Sequence, residues 1–194
     1  DAIRLLKSYS PDLEPLHETG TRIIIDSPVQ ELKHAVGTGM FVKYIQTTWW
    51  PILINYRANI EALASLGVKG IIGVNSVGSL KREIPPGRLV IPHDFLSPWA
   101  IISFYEEAVH IAPSLDDSLR GKLIDAAERA GVDFLPEGVY VQTIGPRLET
   151  KAEIRMMGSW GEIVGMTMAH EATLSSEWAS LTPASARWTI MPTG

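Results

Sequence analysis

The sequence predicts an α/β fold in which helices cover the faces of a β-sheet. Short apolar strands alternate with amphipathic helices along the chain, a pattern typical of this class. In the clearest case, a helix predicted at residues 56–66 is followed directly by an apolar, glycine-bounded strand at residues 68–74. Such a run is typical of a strand buried on both faces of its sheet. The 194 residues contain no linker, repeat or low-complexity segment, so we expect one domain over residues 1–194.

Each element has a local signal in the sequence. Ile60, Leu63 and Leu66 recur at helical spacing before Gly67, which ends the helix. Gly131 ends the second helix in the same way, and Thr150 is a plausible N-cap of the third. The predicted strands cover residues 22–25, 40–45, 68–74, 89–91, 138–144 and 163–166, and the predicted helices cover residues 56–66, 119–130, 151–157 and 171–178.

Composition excludes several classes of protein. The chain has 17 basic and 22 acidic residues, a net charge of −5, and no cluster of basic residues that would suit nucleic acid. It has no cysteine, which excludes disulfides, thiol nucleophiles and thiolate metal sites. Its five histidines show no metal-binding spacing, so we expect no metal. Without a long apolar run or a signal sequence, we expect a soluble, cytoplasmic protein.

The loops after three predicted strands carry the informative residues, because chemistry in α/β folds lies at the carboxyl ends of strands. In the first loop, residues 73–80, the side chains of Asn75 and Ser76 and exposed backbone N–H groups can converge on an anion. The alternative is that these residues simply form a turn.

The second and third loops also admit two explanations each. Glu149 could bind a ligand, or it could be a first-turn acid that the helix dipole favours. Met166 and Thr167 follow the strand at residues 163–166, where a thioether and a hydroxyl would face the other loops. They could equally be a core methionine and a helix cap.

Together these stretches resemble the family of purine nucleoside phosphorylases and methylthioadenosine phosphorylases. The match includes INYRANI at residues 54–60, IPPGRLVIPHDFL at residues 84–96 and GPRLETKAEIRMM at residues 145–157, and it extends over residues 54–178. The resemblance implies a three-layer α/β phosphorylase/hydrolase-like fold with a central mixed β-sheet flanked by helices, assembled as a homotrimer or a dimer of trimers. It also implies reversible phosphorolysis of a purine nucleoside, with inorganic phosphate as co-substrate and no cofactor.

The resemblance also assigns roles to individual residues. By motif position, Asn75 and Thr167 would contact phosphate, and Ser76 and Met166 would border the ribose. Leu148 would pack on the face of the purine and Glu149 would bind its edge. His110 would reach the 5′ group of a nucleoside bound in a neighbouring subunit. A residue that transfers a proton in catalysis is not identified.

Some residues typical of the family are missing. An Arg-His-Gly stretch normally precedes the INYRANI segment and supplies a cation to phosphate, but Tyr44 to Trp50 stand there instead. The glycine-rich first turn, and an Asp or Asn beside purine N7 near the end, also lack counterparts. We therefore expect an incomplete or loop-divergent member of the family.

The leading hypothesis is an enzyme of purine salvage that cleaves a 5′-methylthio-nucleoside, with the choice between 6-amino and 6-oxo purine left open. A catalytically impaired protein that keeps the fold and binds purine or a partner is the alternative. A nucleosidase that activates water is disfavoured because few acidic residues lie near the predicted site.

Overall fold

The structure, a computed structural model, describes residues 21–25, 30–34, 40–43, 54–65, 70–99, 102–181 and 187–193. The strands in these residues are β1 Thr21–Ile25, β2 Gln30–His34, β3 Met40–Lys43, β4 Gly70–Ser76, β5 Gly78–Ser79, β6 Leu89–Val90, β7 Asp94–Leu96, β8 Phe134–Leu135, β9 Val139–Gln142, β10 Ile163–Gly165 and β11 Arg187–Thr193. The helices are α1 Tyr56–Ser65, α2 Asp117–Ala130, α3 Lys151–Met157 and α4 Met168–Leu181. None of the helices in these residues is long and apolar enough to cross a membrane.

The described strands form two larger sheets and one hairpin. The five-stranded sheet has the order β3-β4-β11-β6-β8, the four-stranded sheet has the order β5-β10-β9-β7, and β1 pairs with β2. Both larger sheets mix parallel and antiparallel pairs, as the family resemblance implies. In three pairs of consecutive strands, the first strand lies in the five-stranded sheet and the second in the four-stranded sheet. These pairs are β4 with β5, β6 with β7, and β8 with β9. The short connections within these pairs tie the two sheets together.

Helices cover β4 from both sides. Ile71 packs in one core cluster with Leu63 of α1 and Met168 of α4. The next residue, Ile72, packs in a second cluster with Leu123 of α2. Because neighbouring residues of a strand point to opposite faces, these contacts place α1 and α4 on one face of β4 and α2 on the other. The three-layer α/β architecture is confirmed, and β4 is a strand buried on both faces.

The predicted elements recur with small shifts in their ends. The predictions for α1, β4, β6, β9 and β10 agree within about two residues over the part that the structure describes, and α3 matches at both ends. α2 begins at Asp117, two residues earlier than predicted, because Asp116 is the N-cap and accepts from the Leu119 N–H. It ends at Gly131 in the left-handed conformation, as predicted. Gly67 and Tyr44 to Trp50 lie outside the described residues.

The sequence pattern misses several strands. β5, β7 and β8 have only two or three residues each, too few for an alternating apolar pattern to emerge. β2 and β11 are also unpredicted. β11 pairs in parallel with β4 along its whole length, and it completes the middle of the five-stranded sheet. Its pairing partner lies more than a hundred residues away in the sequence, where a local pattern cannot reveal it.

The start of α4 is set by two side chains of β9. The sequence predicts a helix from residue 171, but α4 begins at Met168. The Tyr140 hydroxyl accepts from the N–H groups of Thr167 and Met168, at 3.2 and 3.3 Å. The Gln142 side-chain oxygen accepts from Ala169 at 2.8 Å. The first N–H groups of a helix have no partner within the helix, so acceptors from β9 make the earlier start favourable.

Tyr140 is fully buried, and its burial raises the pKa of the hydroxyl to about 12. We expect Tyr140→Phe to lower the free energy of unfolding by about 1–3 kcal/mol, because two buried N–H groups lose their acceptor. Chemical denaturation followed by circular dichroism measures the change.

Tyr105→Phe is the matched control. The Tyr105 hydroxyl contacts Ser180 Oγ at 2.5 Å in an exposed pair, so its loss should change stability by no more than about 0.5 kcal/mol. Equal effects of the two substitutions would show that Tyr140 does not cap α4 in the way described.

Candidate active site

The carboxyl ends of three strands meet at one place. β9 and β10 are parallel neighbours, with Gln142 opposite Gly165 at their ends. β5 follows β4 after one residue and pairs with β10, which places Gly78 opposite Val164. The loops after β4, β9 and β10 are therefore adjacent, as we expect for chemically active loops of an α/β fold.

Asn75 and Thr167 form the first part of the site. The Thr167 hydroxyl donates to Asn75 Oδ1 across 2.9 Å, and both side chains are half-buried. The proton of the Thr167 hydroxyl is thus directed to the end of β4. A hydroxyl and a side-chain amide can both donate hydrogen bonds to phosphate oxygens. The structure thus brings together the two residues predicted to contact phosphate, while that role stays a prediction.

Met166 joins the loop after β10 to the loop after β9. Its carbonyl oxygen accepts from the Tyr56 hydroxyl and from the Gln142 amide, each at 3.3 Å. Its Sδ lies so close to Gly145 that a Cβ on this glycine would come within 2.7 Å of it. Ser76, the other residue predicted to border the ribose, is exposed next to Asn75 at the end of β4. Their contact with a sugar stays a prediction.

A buried tyrosine, whose hydroxyl bonds to the Met166 carbonyl, packs against a half-buried histidine. The rings of Tyr56 and His170 lie 5.0 Å apart at an angle of 59°. Burial raises the pKa of the Tyr56 hydroxyl and lowers the pKa of His170, because both charged forms lose hydration. Both side chains are therefore expected to be mainly neutral at pH 7, and this wall of the site adds no positive charge.

The N-terminus of α4 points toward the site, but its first N–H groups are already bonded. Tyr140 accepts from Thr167 and Met168, and Gln142 accepts from Ala169. Free N–H groups at a helix N-terminus are a common anion site. At α4, an anion would have to be held by side-chain donors such as the Thr167 hydroxyl, and not by these backbone groups.

Glu149 lies at the second part of the site and bonds to Thr143. The Thr143 hydroxyl donates to Glu149 Oε1 across 2.6 Å. Both residues line an open cavity of about 210 Å³, together with Trp99, Ile144, Gly145, Arg147, Glu153 and Met157. Glu149 precedes α3, whose N-cap is Thr150 and whose first-turn acid is Glu153. The first-turn explanation for Glu149 is therefore wrong, and its carboxylate faces the cavity instead.

The loop that carries Glu149 is held at its other end by an ion pair. Arg147 donates from both terminal nitrogens to the two carboxylate oxygens of Glu153, each at 2.8 Å. Glu153 also accepts from the Thr150 N–H and completes a capping box. The Arg147 guanidinium and the Thr150 N–H hold the pKa of the Glu153 carboxyl down at about 2. This pair fixes the segment between Arg147 and α3.

Two predicted site residues lie apart from these contacts. Leu148 is 79 % exposed and does not line the cavity beside Glu149. His110 is exposed on the irregular segment between β7 and α2. Neither takes part in the described contacts that join the three loops. Their predicted roles, at the purine face and at the 5′ group in a neighbouring subunit, stay predictions.

Sequence reasoning missed the buried polar residues that support the site. Tyr140, Gln142 and Thr143 lie at the end of β9, and Tyr56 lies in α1. A signal for the first two was present, since Tyr140 and Gln142 are two apart in a strand and so share one face. A polar pair on one face of an otherwise apolar strand indicates a buried partner, although the partner itself cannot be read from the sequence. Within the described residues, no three His, Asp or Glu side chains come together as a metal site would require.

Comparisons with known proteins place these observations in a family. Residues 51–179 match the sequence model of the phosphorylase superfamily. A probable 6-oxopurine nucleoside phosphorylase of Archaeoglobus fulgidus is 45% identical over 66% of this chain and 53% of its own length. A probable S-methyl-5'-thioinosine phosphorylase of Methanocaldococcus jannaschii is 42% identical over 66% of this chain and 52% of its own length.

Solved structures agree with this result. The apo form of a methylthioadenosine phosphorylase from Schistosoma mansoni is similar with a TM-score of 0.62 and 26% identity, over 74% of this chain and 58% of that chain. The chain spans about half the length of the curated relatives it matches. Because the family model matches about two thirds of the sequence, this chain belongs to the phosphorylase superfamily.

Proposed function

We propose that this chain is part of a purine nucleoside phosphorylase, which cleaves the N-glycosidic bond with inorganic phosphate. The observation that carries the proposal is the convergence of the loops after β4, β9 and β10. Asn75 and Thr167 meet at one end of this convergence, and Thr143 and Glu149 meet at the other. Met166, packed against Gly145, joins the two ends. Relatives named as nucleoside phosphorylases support the same activity.

The reaction assigns a task to each end of the site. A phosphate oxygen attacks the anomeric carbon, the bond from that carbon to purine N9 breaks, and the electron pair leaves with the purine, which takes up a proton. Asn75 and Thr167 hold the phosphate by donating hydrogen bonds to its oxygens. Glu149 holds the base by accepting from its edge. Groups placed in advance around developing charge stabilise the transition state without reorganising during the reaction.

The base is a 6-oxopurine in this proposal. The Thr143 hydroxyl donates to Glu149 Oε1, so this carboxylate acts as an acceptor. Hypoxanthine and guanine carry an N1–H that can donate to it, whereas N1 of adenine is itself an acceptor and would face it unfavourably. Relatives named as 6-oxopurine and methylthioinosine phosphorylases support this choice.

For the sugar we propose a 5′-methylthio-ribose, which makes methylthioinosine the substrate and purine salvage the setting. Ser76 and Met166 border the ribose. A homotrimer would bring His110 from a neighbouring subunit to the 5′ group and leave Leu148, exposed in one chain, to pack on the base. Several relatives similar to this chain are named as probable S-methyl-5'-thioinosine phosphorylases, which supports the methylthio group.

One observation favours the alternative of a purine-binding protein without catalysis. Arg147 is the one cation among the residues that line the described cavity, and it is paired with both carboxylate oxygens of Glu153. Arg147 lies at the end of the site that we assign to the base, so it does not supply a cation to a phosphate held by Asn75 and Thr167. Calorimetry separates the two functions, because phosphate and nucleoside tighten each other's binding in a phosphorylase, whereas nucleoside binding is indifferent to phosphate in the alternative.

The direct test is release of free base. We expect the protein to release hypoxanthine from methylthioinosine and inosine when phosphate is present, and to act more slowly on methylthioadenosine. Chromatography of the products, with and without phosphate, measures this. No release from any nucleoside would contradict the proposal, and release that does not require phosphate would indicate a hydrolase.

Thr167→Val should weaken phosphate binding, because it removes a donor and keeps the shape of the side chain. We expect KM for phosphate to rise roughly ten- to a hundredfold, the usual effect of losing a hydrogen bond to a charged group. Steady-state kinetics at saturating nucleoside gives the value. Ser118→Ala removes an exposed hydroxyl from α2 and serves as the control. A KM for phosphate that Thr167→Val leaves unchanged would exclude Thr167 from the phosphate site.

Glu149→Gln should reduce the preference for 6-oxopurines, because the new amide can donate to N1 of adenine. We expect the ratio of kcat/KM for inosine to kcat/KM for adenosine to fall roughly a hundredfold, since a site that bonds one base edge rejects the other strongly. Parallel assays with the two nucleosides provide the ratio. If both values fall by the same factor, Glu149 supports the loop and does not read the base.

A further inference from the structure

The carboxylate of Glu149 is oriented by a residue from a different element. Thr143 follows the last residue of β9, and it is 8 % exposed. Its backbone N–H donates to the Gly165 carbonyl at 2.8 Å, which fixes it to the end of β10. Its hydroxyl then reaches Glu149 Oε1 at 2.6 Å. The carboxylate is therefore tied to the sheet, and not only to the loop that carries it.

The backbone of that loop is fixed separately. Arg147 lies two residues before Glu149, and Thr150 lies one residue after it. Both bond to the Glu153 carboxylate. These bonds leave the side-chain torsions of Glu149 undetermined. In the part of the chain that the structure describes, Thr143 is the side chain that hydrogen-bonds the Glu149 carboxylate. The orientation of this group within the cavity thus depends on a single hydroxyl.

The hydroxyl has one proton, and this limits what the pair can do. While Thr143 donates to Oε1, the second carboxylate oxygen, Oε2, is the one that is presented to a ligand with an N–H donor. A carboxylate that could rotate freely would lose more conformational entropy when it binds the base. A second acceptor, the Gly165 carbonyl, lies 3.4 Å from the Thr143 hydroxyl. The two acceptors compete for the same proton, and the shorter contact with the charged carboxylate is the stronger one.

We propose that Thr143 is a positioning residue that sets the preference for 6-oxopurines by holding the Glu149 carboxylate in its accepting orientation. The proposal rests on the proposed function for its assignment of Glu149 to the base edge. Thr143 itself does not touch the base. Its removal should weaken binding of bases that donate to Glu149, and it should have little effect on bases that do not.

The experiment compares Thr143→Val with Thr143→Ser. Valine keeps the shape and removes the hydroxyl, whereas serine keeps the hydroxyl. We expect the inosine-to-adenosine ratio of kcat/KM to fall about tenfold in Thr143→Val, mainly through KM for inosine, and to stay within about threefold of the original in Thr143→Ser. Thr143→Ala is measured beside them, so that the hydroxyl can still be tested by a folded variant if Thr143→Val does not fold. Thr173→Val removes a hydroxyl from α4 and is the matched control.

Binding of free bases tests the proposal without catalysis. Calorimetry with hypoxanthine and adenine should show about tenfold weaker binding of hypoxanthine to Thr143→Val, with adenine unchanged. The proposal is overturned if hypoxanthine binding is unchanged, if both bases weaken equally, or if Thr143→Ser behaves like Thr143→Val. A protein that binds hypoxanthine through Thr143 but releases no base with phosphate would contradict the proposed function and leave this inference intact.

Discussion

The site depends on the buried contact between the end of β9 and the start of α4. Tyr140 and Gln142 satisfy the first N–H groups of α4, and Gln142 also donates to the Met166 carbonyl. Without these acceptors the buried N–H groups would each cost a substantial fraction of the stability of a domain. The same contacts fix the turn that carries Met166 and Thr167. The same hydrogen bonds therefore cap α4 and position the site residues.

Three hydroxyl groups make hydrogen bonds that join the segments of the candidate site, and each has one proton to donate. Thr167 donates to Asn75, Thr143 donates to Glu149, and Tyr56 donates to Met166. A phosphate at Thr167 would replace the bond to Asn75 with a stronger bond to a charged oxygen. This exchange suits a chain of net charge −5, in which the first N–H groups of α4 are occupied and Arg147 is paired with Glu153.

The sequence could predict the residues that follow strand ends, because they depend on local patterns. Asn75, Met166 and Thr167 are predicted in this way, and the structure brings them together with Glu149 through Gly145 and Thr143. The sequence could not predict Thr143 or Tyr140 as supporting residues, since their partners are distant in the sequence or lie across a turn. The predicted roles of Leu148 and His110 rest on the family resemblance, because contact with a bound base or a neighbouring subunit has no local signature in the sequence.

Local patterns in the sequence are enough to predict the α/β class, the burial of β4 on both faces and most helix ends, because apolar periodicity, glycine stops and caps such as Thr150 act within a few residues. The tertiary structure fixed the pairing of β11 with β4, which no local pattern shows, since strand pairing joins distant segments. It also decided that α4 begins at Met168, because the groups that cap this helix come from β9 and not from the residues before it.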